Sequence, residues 1–265
     1  MQLTATQKYI LIWCSFVIII FITFIYAIPQ FTTLVLKYIP YEWERSLGES
    51  SKRNEISKYK VCTRAKGRES LDKIVSKLKI TDNLSSNKWN ITIIQKSEVN
   101  AMALLDNNII IYNGLIEQLD TPEELAGIIA HEIGHIVNNH PLKSVIRNRG
   151  LTFLFHLLLG DASDLGTLLI ATVYSREAEK QADYTAMLIL QNNNISTHGL
   201  KAFLNKTHNI EPQLNSGVSS YLSTHPSSIE RSNSIIDNAY VATTPLISQD
   251  EFEELKKICY TDKEK

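Results

Sequence analysis

Two histidines and a glutamate stand together in the segment HEIGH, which runs from His131 to His135. Residues four apart lie on one face of an α-helix, so both imidazoles can reach a single metal ion. Glu132 follows the first histidine directly and can act as a general base for metal-bound water. Gly134 leaves a position without a side chain, where a packed helix or a substrate could approach. The spacing predicts a catalytic zinc site with one zinc ion per chain and His131 and His135 as ligands.

An acidic segment further along the chain offers the third protein ligand that a catalytic zinc requires. In SREAEKQAD, which begins at Ser175, Glu179 and Asp183 are one helical turn apart on the same face. We assign Glu179 to the metal, and Asp183 to a hydrogen bond with the far nitrogen of a ligand histidine. Glu177 is the rival ligand, but it points away from the face that carries Asp183.

A third element is the sequence STHP, which contains His225 and is followed by Arg231. His225 is predicted to stabilise the oxyanion of an acyl-transfer reaction or to serve as an occasional fourth ligand. Arg231 is predicted to brace either the acidic helix or the loop that carries His225.

The helix that carries HEIGH has a clear start in the sequence. Thr121 can cap the helix, Pro122 occupies its first position, and Glu124 completes a capping box. We expect this helix to continue through HEIGH and to stop before Pro141. Short strands rich in β-branched residues are predicted before it, at 91–95, 99–105 and 108–112, the last two forming a hairpin. Further helices are predicted over 69–80, 174–190, from 197, over 227–240 and over 249–259, with a loop at 215–226.

Together these motifs, in this order, resemble the M48 family of zinc metallopeptidases over about residues 71–239. The resemblance implies an α+β, mainly helical, gluzincin-type domain with a small β-sheet, whose edge strand can hold an extended substrate. It also implies a zinc metalloendopeptidase that acts on misfolded or damaged proteins. Its ligands would be His131, His135 and Glu179, its base Glu132, and its supporting residues Asp183, His225 and Arg231.

Two features favour the Oma1-like and BepA-like periplasmic branch of this family over the HtpX and Ste24 branch. The sequence predicts one amino-terminal membrane span, and Pro40–Glu49 resembles the start of that branch. Glu98–Ile116 resembles the family's hairpin, but Asp106 and Asn107 stand where glycines are usual, so a different turn is expected.

The predicted membrane span is Tyr9–Ile28, which contains no charged residue and is long enough to cross a bilayer. A cleaved signal peptide is the rival interpretation, but the apolar run exceeds the usual length of a signal core. The predicted organisation is therefore an anchor at 1–29, a juxtamembrane linker at 30–65 and a peptidase domain at 66–262.

The side of the membrane on which the domain lies is predicted from the cysteines and from the family branch. Positive residues after the span favour a cytoplasmic domain, although a long following domain weakens that rule. Cys62 and Cys259 could form a disulfide, which needs an oxidising compartment, or could be two unrelated thiols. With the resemblance to the periplasmic branch, the pair predicts a single-pass protein of the bacterial inner membrane with a periplasmic domain.

Other functions compete with proteolysis. The net charge of -1 and the lack of a basic run argue against nucleic-acid binding. A chaperone-like assembly factor would have its metal-bound water blocked by His225 or by the apolar segment 151–173. This segment is predicted to cover the site, with a surface that rests on the membrane as the alternative. A structural metal site would need a fourth tight ligand, for which His140 is the candidate.

Overall fold

The computed structural model describes a few positions up to residue 36 and then residues 38–80, 89–147, 173–210, 219–226, 229–236 and 245–260. The helices are α1 (Tyr41–Ile56), α2 (Ala65–Lys77), α3 (Asn113–Glu117), α4 (Pro122–Val137), α5 (Arg176–Asn192), α6 (His198–Ile210), α7 (Ser219–Thr224), α8 (Ile229–Ser234) and α9 (Gln249–Lys256). The strands are β1 (Asn90–Ile94), β2 (Ala101–Ala103) and β3 (Asn108–Tyr112). The prediction of a mainly helical fold with a small sheet is confirmed.

The sheet has the strand order β1-β3-β2, with β1 parallel and β2 antiparallel to β3. The turn between β2 and β3 holds Asp106 and Asn107, and both have a φ of 56°. Two consecutive residues with positive φ are typical of the tight hairpin turn that matches the twist of its strands. Aspartate and asparagine tolerate this conformation better than most residues, so this hairpin closes without glycine.

Helix α4 has the predicted cap at Thr121 and the predicted proline at its start, but Glu124 accepts its hydrogen bond from the residue before the cap and not from the cap itself. The Thr121 hydroxyl accepts a hydrogen bond from the Glu124 amide at 3.3 Å, and the Glu124 carboxylate accepts one from the Asp120 amide at 2.9 Å. The helix then runs through the core, where every residue from Leu125 to His135 is buried. HEIGH therefore lies on a helix that is enclosed on all sides, which fixes the direction of its side chains.

Helix α5 packs against α4 at a point where α4 has no side chain. A Cβ atom added to Gly134 would lie 2.6 Å from the carbonyl oxygen of Ala182. The absence of that atom lets the two backbones approach closely, so the acidic residues of α5 reach the histidines of α4.

Helix α1 packs on the other side of the hairpin, within the segment predicted to be a linker. Leu47 is 2% exposed and belongs to a second apolar cluster with Leu104, Leu105 and Ile110. A Cβ atom on Gly48 would lie 2.5 Å from the carbonyl oxygen of Leu105, so the helix and the hairpin are in close contact.

The ends of the domain are joined covalently. Cys62 and Cys259 form a disulfide across a sequence separation of 197 residues. Val61 pairs with Ile94 at the edge of β1, and the amide of Arg64 donates to the carbonyl of Ile258. The structure thus selects the disulfide over two separate thiols.

Several predicted elements differ in extent from the structure. The helix expected over 227–240 ends at Ser234 among the described residues, and α7 occupies part of the loop expected at 215–226. The chain is helical again from 140 to 147, so Pro141 stands at the start of a helix rather than after the end of one. The segment 151–173 lies, apart from its last residue, outside the described part of the chain.

No helix among the described residues is long and apolar enough to cross a membrane. Much of the predicted span Tyr9–Ile28 lies outside the described residues, although residues 12–19 within it are helical.

Candidate metal centre

His131 and His135 lie one turn apart on α4 and face each other across the site. Both side chains are 0% exposed, and their Nε2 atoms are 3.0 Å apart. The rings meet edge to face, with centroids 4.6 Å apart. Both Nε2 atoms therefore converge on one point.

Glu179 brings a carboxylate from α5 to the same point. One of its oxygens lies 3.5 Å from His131 Nε2, and the other lies 3.4 Å from His135 Nε2. The side chain is fully buried. Its rival Glu177 is exposed and lies outside this group of side chains. It accepts a hydrogen bond from the side-chain amide of Gln181 at 3.3 Å.

His225 belongs to the same group of side chains. Its Nδ1 lies 3.2 Å from Glu179 and 3.4 Å from His131 Nε2. Its ring stacks on Tyr221, with centroids 4.6 Å apart and an angle of 17° between the planes. The donor atoms of His131, His135, Glu179 and His225 all lie within 4.8 Å of one another.

The four donors fit a zinc ion. Imidazole nitrogens with a carboxylate oxygen are typical zinc ligands, whereas calcium and magnesium prefer oxygen alone. With zinc–ligand bonds of about 2.0–2.1 Å, tetrahedral ligands stand roughly 3.3 Å apart. The donor pairs that include His131 or Glu179 are 3.0–3.5 Å apart. A zinc ion would satisfy all of these donors at once, whereas a proton shared by His131 and His135 would satisfy only that pair.

Glu132 adds a second carboxylate at the edge of this cluster. Neither of its oxygens has a hydrogen-bond partner in the described part of the chain, although the side chain is 0% exposed. The nearest ionisable nitrogen is His225 Nε2, at 3.6 Å. Burial raises the pKa of Glu132, and His225 partly opposes this shift. A buried carboxylate without a partner is positioned to exchange a proton with a bound molecule.

Asp183 and Arg231 support the donors from behind. Asp183 Oδ1 is 2.9 Å from His131 Nδ1, the ring nitrogen that points away from the site. Arg231 contacts Asp183 through Nε at 2.7 Å and contacts Glu179 through Nη1 at 2.7 Å. Burial opposes the ionisation of Asp183, but the hydrogen bonds from Arg231 and His131 outweigh it and lower its pKa. Arg231 also donates to the carbonyl of Pro226, so it contacts both the acidic helix and the loop.

His140 lies beside this group but not within it. Its Nδ1 is 3.0 Å from His135 Nδ1, on the side of that ring opposite the other donors. Burial lowers the pKa of His140 to about 4. His140 is therefore not part of the donor cluster, and the histidine that lies with His131, His135 and Glu179 is His225.

Sequence reasoning missed the aromatic residues that surround the histidines. The ring of Tyr174 stacks on His135, with centroids 3.9 Å apart and an angle of 21°. Tyr174 directly precedes the acidic motif and Tyr221 lies one turn before His225. This adjacency to the motifs is the only signal that could have indicated them.

Helix α4 carries two buried histidines and a buried glutamate, and helix α5 adds a second buried carboxylate. This combination defines the metal centre of a zinc peptidase. The model of Peptidase family M48 matches residues 65–238, and the chain belongs to this family. The predicted resemblance is thereby confirmed.

Curated relatives agree with this assignment. The chain is 26% identical to the mitochondrial metalloendopeptidase OMA1 of Arabidopsis thaliana over 157 residues, which are 57% of this chain and 32% of the relative. It is 26% identical to the metalloprotease LoiP of Escherichia coli over 167 residues, 59% of this chain and 65% of the relative. It is 25% identical to the beta-barrel assembly-enhancing protease of Escherichia coli over 151 residues, 51% of this chain and 31% of the relative. The chain thus spans from about a third to about two thirds of these relatives.

Proposed function

We propose that this chain is a zinc-dependent endopeptidase. The observation that carries the proposal is Glu132, a fully buried carboxylate without a hydrogen-bond partner, at the edge of a four-donor cluster. A structural metal site does not require a buried carboxylate beside the ligands. A hydrolase needs it to accept a proton from the attacking water.

His131, His135 and Glu179 would hold the zinc ion. When bound, zinc supplies a Lewis acid that lowers the pKa of water and polarises the scissile carbonyl. Glu132 accepts the proton of the attacking water and returns it to the leaving amide nitrogen. The N–H of His225 is available to the oxyanion once that ring turns away from Glu179, which it contacts at 3.2 Å.

The supporting residues would set the protonation of the ligands. Asp183 Oδ1 lies 2.9 Å from Nδ1 of His131, where it would hold the proton on that nitrogen and leave Nε2 with a free lone pair. Arg231 contacts both Asp183 and Glu179 and so shares one positive charge between two carboxylates in one buried site.

The substrate would bind as an extended strand. Within the described residues, β2 has a strand neighbour on one side only, and α4 packs against it. A peptide that pairs with the outer edge of β2 would cross the face of α4 near Glu132. This mode selects unfolded segments, because a folded protein cannot supply a free strand.

We further propose that the substrates are misfolded or damaged envelope or membrane proteins. The similarity to a beta-barrel assembly-enhancing protease and to OMA1 supports this class. The proposed organisation remains an anchor at 1–29 that contains Tyr9–Ile28, a linker at 30–65 and a peptidase domain at 66–262. The disulfide Cys62–Cys259 supports a domain on the oxidising, periplasmic side of a bacterial inner membrane.

The test uses the full chain purified in a mild detergent, with unfolded casein as the substrate. We expect about one zinc per chain, loss of cleavage after treatment with a chelator, and recovery with one equivalent of zinc. A chain that binds zinc and fails to cleave casein at any metal level would contradict the endopeptidase.

One observation favours a second candidate, a chaperone-like assembly factor with a latent zinc site. His225 lies among the donors and would fill the position that water needs. If His225 blocks the site, His225→Ala should increase the rate of cleavage many-fold. If His225 stabilises the oxyanion, the same variant should cleave more slowly than the wild type. His198→Ala, at an exposed histidine on α6, is the matched control.

A further inference from the structure

The two histidines of HEIGH have different partners behind their rings. His131 turns its outer nitrogen to a carboxylate, that of Asp183, at 2.9 Å. His135 turns its outer nitrogen to another imidazole, that of His140, at 3.0 Å. A hydrogen bond between two ring nitrogens requires one that carries the proton and one that does not, and geometry alone leaves the choice open.

Gln181 and Glu177, the next two residues in this chain of hydrogen bonds, determine which nitrogen of His140 carries a proton. Glu177 can only accept hydrogen bonds, so the amide nitrogen of Gln181 faces it, at 3.3 Å. The amide oxygen of Gln181 is then the atom that faces His140 Nε2, at 3.1 Å. An amide oxygen cannot donate, so His140 carries its proton on Nε2.

His135 can bind a metal through Nε2 only if its own proton lies on Nδ1, so Nδ1 of His140 is the acceptor in this contact. Nε2 of His135, which faces His131 and Glu179, is then left with a free lone pair. With the opposite tautomer of His135, two lone pairs would face each other 3.0 Å apart inside the protein.

We propose that His140 and Gln181 form a positioning pair that holds His135 in the tautomer able to bind the metal. The inference rests on the proposed zinc site and adds these two residues to it. Because the acceptor behind His135 is an imidazole and not a carboxylate, it fixes the proton of His135 without the added basicity that a carboxylate gives to its histidine. The centre would thus have one ligand made more basic by Asp183 and one that is only oriented.

The zinc dissociation constant of the full chain, measured by competition with a coloured chelator at neutral pH, tests this proposal independently of catalysis. His140→Phe keeps a ring of similar shape but removes the acceptor, and should weaken zinc binding by about 10–100-fold. His140→Asn can place an oxygen near the lost nitrogen and should recover part of that affinity. If the role of His140 were purely structural, His140→Phe would bind zinc more tightly than His140→Asn, since phenylalanine fills the buried site better than asparagine.

Gln181→Leu is the second variant, at an exposed position where the fold tolerates change. It should weaken zinc binding less than His140→Phe, because water can replace the amide. Gln191→Leu, the same substitution on the same helix, is the matched control and should bind zinc as the wild type does. Wild-type affinity in both His140→Phe and Gln181→Leu would overturn the positioning pair and leave the proposed peptidase intact. A wild-type chain that holds no zinc would overturn both.

Discussion

Arg231 binds the carboxylate of Asp183 through two parallel hydrogen bonds, from Nε at 2.7 Å and from Nη2 at 2.9 Å. Both residues are 1% exposed, and the same guanidinium reaches Glu179. This ion pair connects α8 to α5 directly behind the metal centre. One arginine is thus the shared partner of two buried acidic side chains.

Removal of that arginine should destabilise the fold. Arg231→Met leaves Asp183 and Glu179 buried without their arginine partner, which should cost about 3–5 kcal/mol of unfolding free energy. Lys180→Met is the matched control, since the Lys180–Glu230 pair is exposed and its loss should change the unfolding free energy far less. Urea unfolding of the two variants measures both values. Equal losses would contradict the role given to the buried pair.

The disulfide should contribute strongly to stability because it closes a long loop. For a loop of 197 residues, the chain-entropy relation gives about 5 kcal/mol. Replacement of both Cys62 and Cys259 by serine should therefore lower the melting temperature markedly. Cys14→Ser, at the free cysteine, should leave it unchanged. An unchanged melting temperature in the double variant would show that the ends are held by packing alone.

Gly134→Ala tests the close approach of α4 and α5. Alanine favours helices by about 1 kcal/mol over glycine, so propensity alone predicts a stabilised protein. The new Cβ would lie 2.6 Å from a backbone oxygen of Ala182, which cannot move without a shift of the whole helix. We expect a net loss of about 1–3 kcal/mol together with weaker zinc binding. A gain in stability would mean that the two helices separate easily.

Tyr112 should make the fold sensitive to alkaline pH. Its hydroxyl donates to Glu55 at 2.8 Å, and burial together with this hydrogen bond raises the pKa of Tyr112 well above its ordinary value. The folded state keeps this proton where the unfolded chain begins to lose it. The stabilisation of the folded state by the protonated Tyr112 side chain is therefore complete below about pH 10 and falls as the pH rises further.

In Tyr112→Phe the unfolding free energy should fall less steeply between about pH 9.5 and 11 than in the wild type. Tyr184→Phe, at an exposed tyrosine, is the matched control. If the unfolding free energy falls equally steeply in the wild type and in Tyr112→Phe, Tyr112 does not cause the sensitivity to alkaline pH.

Local signals predicted the helix that carries HEIGH, because Thr121 and Pro122 cap it by contacts within a few residues. The strands were predicted with small errors, since β-branched runs indicate strands wherever they pack. Helix α1 was missed because it buries only a narrow stripe, including Leu47 and Glu55, in a polar sequence. Burial of a stripe that narrow depends on the hairpin, which a local pattern cannot indicate.

The contacts around the metal centre depend on packing between distant segments. The pattern that put Glu179 and Asp183 on one face needed only the helical repeat. The placement of His140 against His135 depends on where the chain turns back after α4, at Asn139, which has a φ of 55°. Similarly, Arg231 reaches two carboxylates only because α8 packs on α5. Such relationships are not visible in any short window of the sequence.

The most direct test of the proposed peptidase is a comparison of the wild type with Glu132→Gln, both as full chains loaded with zinc. Glu132 is not among the four clustered donors, so the variant should bind about one zinc with unchanged affinity. It should cleave unfolded casein at least 100-fold more slowly, because the general base is lost. Equal cleavage by the two proteins would contradict the assignment of Glu132 as the base, and with it the proposed function.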